Sequence, residues 1–322
     1  MIRYIGARLG QTLLLLVGIS ILLFLLMQAI PGDFFSEAQL NPNLSPETLH
    51  SLRLQYGLDK PFPARYGHWL ASVVRGDFGY SLSYNQPVAR LILPRLANTL
   101  LLAIPSLVVC WLIALFLGVL LAGYGGGWAT RIFSLGTSTL LATPDVLLAL
   151  VALLFAAKTR LLPAGGMSSP SAEGAGFFGQ LKDLIWHMVL PLTVFVLSCL
   201  APILRHVHAE INKVLESPHI RAAEGHGLRR WRILFGYALP AAANPLISLF
   251  GLSFGLMFSV VIVVEIVLSW PGMGPMLLEA ILSRDMFVTM GGVLVTALLL
   301  VSGNLLADLL LYVSDPRIRV RT

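Results

Sequence analysis

Apolar runs long enough to cross a lipid bilayer recur along this 322-residue chain, and nothing else in it constrains the fold as tightly. A hydrocarbon core about 30 Å thick needs about 20 apolar residues per helical span. Such runs lie near 9–30, 99–122, 132–157, 188–204, 243–268 and 288–313. Hydrophobic residues make up 57% of the chain and charged residues 12%. Soluble domains hold roughly 45–50% and 25%. The surplus reads as lipid-facing surface, which excludes an ordinary soluble protein. The expected architecture is all-α and polytopic, with six transmembrane helices.

The first run follows Arg3 and Arg8 but is too long for a signal-peptide core. Ile30-Pro31-Gly32-Asp33 does not resemble a cleavage site, so the run is read as a retained span. Basic residues set the orientation. With the N-terminus inside, the inner segments hold Arg3, Arg8, Arg131, Arg205, Lys213, Arg221, Arg229, Arg230, Arg232, Arg317, Arg319 and Arg321. The two short outer loops hold only Lys158, Arg160, Lys182 and Arg284. Both termini are therefore expected to be cytoplasmic. The formal charge of +6 follows from the same loops and implies no nucleic-acid partner. Cys110 and Cys199 lie within apolar runs, which leaves no disulfide framework or cysteine-based metal site.

The expected organisation is residues 1–30 as N-terminus and first span, 31–98 as an extracytoplasmic subdomain, 99–313 as a five-helix core, and 314–322 as a cytoplasmic tail. Within 31–98, Ser45 precedes Pro46 in the order of a helix cap and first turn, and a short helix would end near Gly57. Within the core, 205–240 is a long hydrophilic inner segment carrying His206, His208, His219 and His226 between basic residues. A loop of that length in a compact protein is usually functional. Its small side chains at Ala222, Ala223 and Gly225 permit close backbone approach, and Gly227 suits a left-handed helix end. Leu228, Trp231, Ile233 and Leu234 form an apolar edge beside Arg229, Arg230 and Arg232, which also fits an ordinary interfacial helix.

The spacing within that segment is specific. Arg221-Ala222-Ala223, three residues, Gly227, nine residues, Tyr237, one residue and Leu239-Pro240 follow one another. This order resembles the EAA loop of binding-protein-dependent ABC importer permeases. Arg221 stands where the general motif has Glu and Tyr237 where it has Ile. Arg at the first place points to the dipeptide, oligopeptide and nickel branch. That branch usually carries basic residues on both sides of the small residue before the loop glycine, whereas this chain has Glu224, Gly225 and His226.

Further strings resemble the same branch in order along the chain. They are Ile30-Pro31-Gly32-Asp33, Tyr56-Gly57-Leu58-Asp59-Lys60-Pro61, Arg75-Gly76-Asp77-Phe78-Gly79, Leu162-Pro163, Ser269-Trp270-Pro271-Gly272-Met273-Gly274 and Asp315-Pro316-Arg317-Ile318-Arg319. The resemblance implies the ABC type I importer permease fold in a bacterial inner membrane. It implies a second homologous permease as heterodimer partner, two ABC ATPase subunits, an extracytoplasmic solute-binding protein and a peptide as substrate. Nickel chelates, opines and other peptide-like solutes remain open. Arg221, Ala222, Ala223, Glu224, Gly227, Leu239 and Pro240 would form the ATPase-coupling loop. The chain contains no G-x-x-x-x-G-K-[ST] phosphate loop, so no bound cofactor is expected, and ATP with magnesium would be used by the partner ATPases.

Charges within apolar runs are costly and usually meet a cavity or a partner. Thr143-Pro144-Asp145 has the order of N-cap, first residue and acidic first turn, which implies a kinked or restarted third span. Asp145 then either faces the pathway or serves its own helix terminus. Glu265, just before Trp270, Pro271 and Gly272, resembles the family's Glu at that place, and either holds the outer gate or reaches the interface. Asn304 and Asp308 share a helix face and suit interhelical hydrogen bonding. Gly251 and Gly255 form a G-x-x-x-G that serves either the permease pair or packing within one chain. His206 and His208 are two residues apart and do not share a helix face, so no metal site is expected. The rival reading, an ion-gradient-driven transporter, would favour internal repeats with broken helices. No repeat between the halves supports it.

Overall fold

The computed structural model describes residues 2–29, 61–81, 83–172 and 174–314. The Ser45–Pro46 helix start, the strings around Ile30 and Tyr56, and the closing Asp315–Arg319 string lie outside the described residues. The elements in chain order are α1 (Ile2–Ala29), α2 (Phe62–Val74), β1 (Tyr80–Ser81), β2 (Gln86–Pro87), α3 (Val88–Tyr124), α4 (Gly127–Ala142), α5 (Asp145–Thr159) and α6 (Phe177–Leu215). They continue with α7 (Pro218–Gly225), α8 (Arg230–Ile233), a π turn at Leu234–Ala238, α9 (Leu239–Ala241), α10 (Ala243–Val267), α11 (Met273–Leu282) and α12 (Met286–Ser314). The described residues are α-helical, with one two-stranded antiparallel hairpin among them that pairs Tyr80 with Pro87 and Ser81 with Gln86.

Among the described residues five helices, α1, α3, α6, α10 and α12, are long and apolar enough to cross a membrane. The pair α4 and α5 passes the same test together but bends by 97° at its break, and counting it as one span gives six. The expected interruption at Thr143-Pro144 is therefore present, with a different cap. Pro144 is the N-cap of α5, whereas the Thr143 hydroxyl donates back to the Thr139 carbonyl at 2.8 Å and belongs to the end of α4. Proline lacks an N–H and disfavours helical geometry in the residue before it, so the chain turns there whatever the threonine does.

Several helices also outrun their apolar cores. α6 extends from Phe177 to Leu215 and α3 begins at Val88, well beyond the hydropathy windows at 188–204 and 99–122. Residues 205–215, expected in the inner loop, are the last turns of α6. Backbone hydrogen bonding continues past the point where side-chain hydropathy changes, because the helix needs no lipid to satisfy its own ladder.

The chain divides into two compact units. One comprises Thr99–Pro271 and Leu300–Thr322; the other comprises Ile2–Asn98 and Gly272–Leu299. In the first, α6 packs against α4, α5 and α10, and α10 also meets α5. Gly118 lets α3 approach α6, since a Cβ there would lie 2.6 Å from Val207 Cγ1. Within the second, Val88, Ile92, Met273, Met276, Ala280 and Val288 form one buried cluster, and Phe24, Trp69 and Met290 form another.

Candidate coupling site and hairpin platform

The expected coupling loop is an ordered helix with a designed stop. Pro218 occupies the first turn of α7, where its missing N–H is not needed. At the far end Gly227 adopts φ +74°. Its N–H donates to the Glu224 carbonyl at 2.9 Å, and the Leu228 N–H donates to the Ala223 carbonyl at 3.3 Å. This is a Schellman closure, and the left-handed position is the reason for glycine there. Ile220 and Ala223 are buried on one face of α7, while Arg221, Ala222, Glu224 and Gly225 are exposed. The helix is thus docked on its own chain by one face and presents the other.

Beyond Gly227 the expected apolar edge divides. Ile233 and Leu234 are buried, Leu228 is half-buried, and Trp231 is exposed with its ring 4.1 Å from that of Phe235. Tyr237 and Pro240 are exposed and Leu239 half-buried, at the junction between the π turn and α9. π turns add a residue to the helical ladder and recur at functional sites. Arg230 forms an ion pair with Glu224 and donates from Nε to the Gly123 carbonyl at 3.2 Å.

The other expected site residues are placed as follows. Asp145 is half-buried in the first turn of α5. Glu265 and Trp270 are fully buried. α10 closes through Ser269 at φ 53°, with the Trp270 N–H donating to the Glu265 carbonyl at 2.9 Å. Gly165 packs on this turn so closely that a Cβ would lie 2.7 Å from the Leu268 carbonyl oxygen. Pro271 is half-buried, and Gly272 is buried as the N-cap residue of α11. Gly251 faces Ala307, whose Cβ would stand 2.4 Å from an added Cβ, whereas Gly255 has nothing within 4 Å. The two glycines therefore do different things: the first admits a helix of the same chain and the second does not. Asn304 is exposed and Asp308 half-buried on α12. Among the described residues no group of three or more His, Cys, Asp or Glu side chains is arranged to hold a metal ion.

Sequence reasoning missed a second organised region, around Asp285. This buried side chain accepts from the Ser81 hydroxyl at 2.7 Å and the Ser83 N–H at 3.1 Å through Oδ2. Through Oδ1 it accepts from the Val288 N–H at 3.2 Å, which makes it the N-cap of α12. One carboxyl group thus starts a helix and pins the β1–β2 hairpin. Ser83 also meets Ser283 at 3.0 Å, and the Tyr84 hydroxyl donates to Glu279 Oε2 at 2.5 Å. Burial, the Glu279 hydrogen bond and the Glu279 charge push the Tyr84 phenol up to about 12.

The Arg75-Gly76-Asp77-Phe78-Gly79 string leads into this hairpin. Asp77 Oδ1 accepts from the Gly79 N–H at 2.9 Å. Gly79, at φ +98°, lies under Phe287, whose Cδ1 would be 2.7 Å from an added Cβ. An Asp directly before an apolar helical run is itself a cap signal, so Asp285 was legible in principle. Arg230 left no such signal, because a six-residue offset from Glu224 matches no helical pairing rule.

The spans and helix breaks define a multi-pass α-helical membrane protein, and the capped, one-face-exposed α7 gives it a segment suited to a second protein. Residues 114–320 match the family described as the inner membrane component of binding-protein-dependent transport systems. Residues 1–103 match the N-terminal region of such membrane components. The chain belongs to this family, the membrane permease subunits of ABC importers. It is 34% identical over 324 residues to a candidate peptide permease of Brucella ovis, covering 99% of this chain and 100% of that one. It is 32% identical over 320 residues to the oligopeptide transport system permease protein AppB of Bacillus subtilis, covering 99% of each. The dipeptide transport system permease protein DppB of Escherichia coli is 32% identical over 348 residues, again with 99% of each chain covered.

Proposed function

We propose that this chain is the permease subunit of an ATP-driven importer of di- or oligopeptides, forming half of a pathway that operates by alternating access. The observation that carries this reading is the exposed, Gly227-closed helix α7 in a chain similar from end to end to relatives named for dipeptide and oligopeptide transport. Those names favour peptides over nickel chelates.

In this reading α7 seats in a soluble ABC ATPase subunit, one of two, and a second homologous permease completes the pathway. An extracytoplasmic solute-binding protein delivers the peptide to the 31–98 segment and the Ser269–Gly274 turn. The chain spans a bacterial inner membrane with both termini in the cytoplasm. It binds no cofactor and hydrolyses nothing itself; ATP and magnesium are used by the ATPases. Asp145 faces the pathway, and Glu265 with Trp270, Pro271 and Gly272 forms the outer gate.

The test is uptake of radiolabelled di-, tri- and pentaalanine by proteoliposomes holding both permeases, the ATPases and the binding protein. Gly227→Asp places a side chain where φ is +74° and should abolish uptake and receptor-stimulated ATP hydrolysis while the chain still inserts. Uptake by this chain alone, driven by a proton gradient and indifferent to ATP, would overturn the proposal.

A further inference from the structure

We infer that Arg230 is a positioning residue that joins the coupling helix α7 to the C-terminal end of α3, so that the two move as one mechanical unit. The inference rests on the coupling role proposed for α7 and names the helix that receives its motion. By chain continuity α7 is tied to α6 before it and, through Leu239–Ala241, to α10 after it. α3 has no such tie, since Gly123 and Arg230 are 107 residues apart. It is tied instead through three contacts, one within the α7 segment and two that reach the last turn of α3.

The first is the Arg230–Glu224 ion pair, which fixes the segment after Gly227 against α7 itself. The second is the Arg230 Nε bond to the Gly123 carbonyl at 3.2 Å. That carbonyl is among the last of α3, where the helix ends with unpaired acceptors and partial negative charge, so a guanidinium is favoured there. The third is apolar: Leu234 is fully buried, and its Cδ1 would lie 2.3 Å from a Cβ on Gly123. Glycine at 123 is what lets Leu234 seat against α3.

The ion pair by itself is modest, because the Arg230 and Glu224 side chains are 36% and 44% exposed and water screens them. Its value lies in geometry. A planar guanidinium presents several donors at fixed angles, so one side chain holds a carboxylate of α7 and a carbonyl of α3 at once. Lysine, with a single nitrogen, cannot span both in the same way. Glu224 thus has a cationic partner, Arg230, within its own chain.

Two measurements on Arg230→Ala, Glu224→Ala, the double variant and Arg230→Lys test this. In the first, hydrogen exchange is followed on the full chain in lipid nanodiscs, without partners. Arg230→Ala should speed exchange across 218–227 by about tenfold and leave the middle of α10 unchanged. Unchanged exchange in 218–227 would overturn the clamp whatever the transport result. In the second, alanine-peptide uptake per ATP hydrolysed is measured in the assembled importer. Arg230→Ala should lower that ratio about fivefold while ATP hydrolysis persists. The double variant should be no worse than Arg230→Ala, and Arg230→Lys should recover part of the loss. Faster exchange with an unchanged ratio would show a clamp that transmits nothing and overturn the mechanical role. Absence of ATP-dependent uptake in the unmodified assembly would sink the importer reading instead, leaving the exchange result to decide the clamp.

Discussion

The coupling segment and the hairpin platform are both short, irregular stretches between long helices, yet they are held in opposite ways. The platform is organised by one buried carboxyl: Asp285 satisfies the buried Ser81 hydroxyl and Val288 N–H, and also holds the N–H of the exposed Ser83. The coupling segment is organised by packing and backbone closure, with Ile220, Ala223, Ile233 and Leu234 buried and its ion pair exposed to water. A buried polar network is costly to loosen, because each freed group loses a partner without gaining water. An apolar face closed by a glycine cap can shift as a body with its bonds intact. The difference suits a rigid platform and, in the proposed reading, a helix that transmits movement.

The sharpest way to break this contrast is Asp285→Ala. Removing the carboxyl strands the buried Ser81 hydroxyl and Val288 N–H and frees the Ser83 N–H to water, with an expected loss of about 3 kcal/mol. Thermal unfolding in detergent should show it, and hydrogen exchange should rise first in 80–88; a change below about 0.5 kcal/mol would mean that water replaces Asp285 readily. Next in size is Gly123→Val. Its Cβ would overlap Leu234, which is fully buried and must be displaced, at a cost of about 2 kcal/mol. The same two readouts should place the loosening in 218–234, and an unperturbed segment would show that Leu234 repacks freely.

The smallest effect is the pH response of Tyr84. Its phenol is shifted from 10.0 up to about 12, so the neutral form is the one the fold favours. The stabilisation is therefore complete below pH 10 and is lost as pH rises through about 12. Ultraviolet titration should find one tyrosine ionising in that upper range, absent in Tyr84→Phe. Absence of any upper-range component that distinguishes the unmodified chain from Tyr84→Phe would show that the Glu279 contact does not persist in solution.

Much of the molecule was legible from residue order. The spans announced themselves because a helix that crosses lipid must be long and apolar, a composition unlike that of a loop. The break near Pro144 followed from proline's missing donor, and the end of α7 from the backbone freedom of Gly227. These are local rules, and they hold wherever the residue stands. Helix lengths were less legible: α6 runs far past its apolar core because hydropathy reports the solvent of a helix and not its hydrogen bonds.

What the sequence determined by itself was therefore the membrane class, the approximate spans and the short helix before Gly227 with its glycine stop. Only the tertiary structure decided which residues meet across long stretches of chain. It separated Gly251, against Ala307, from Gly255, where an added Cβ would meet nothing within 4 Å, although the two are identical in pattern. It matched Asp285 to Ser81 and Arg230 to Gly123. Periodicity and capping act over a few residues along the backbone, whereas these contacts form between side chains and carbonyls that only folding brings within hydrogen-bond reach.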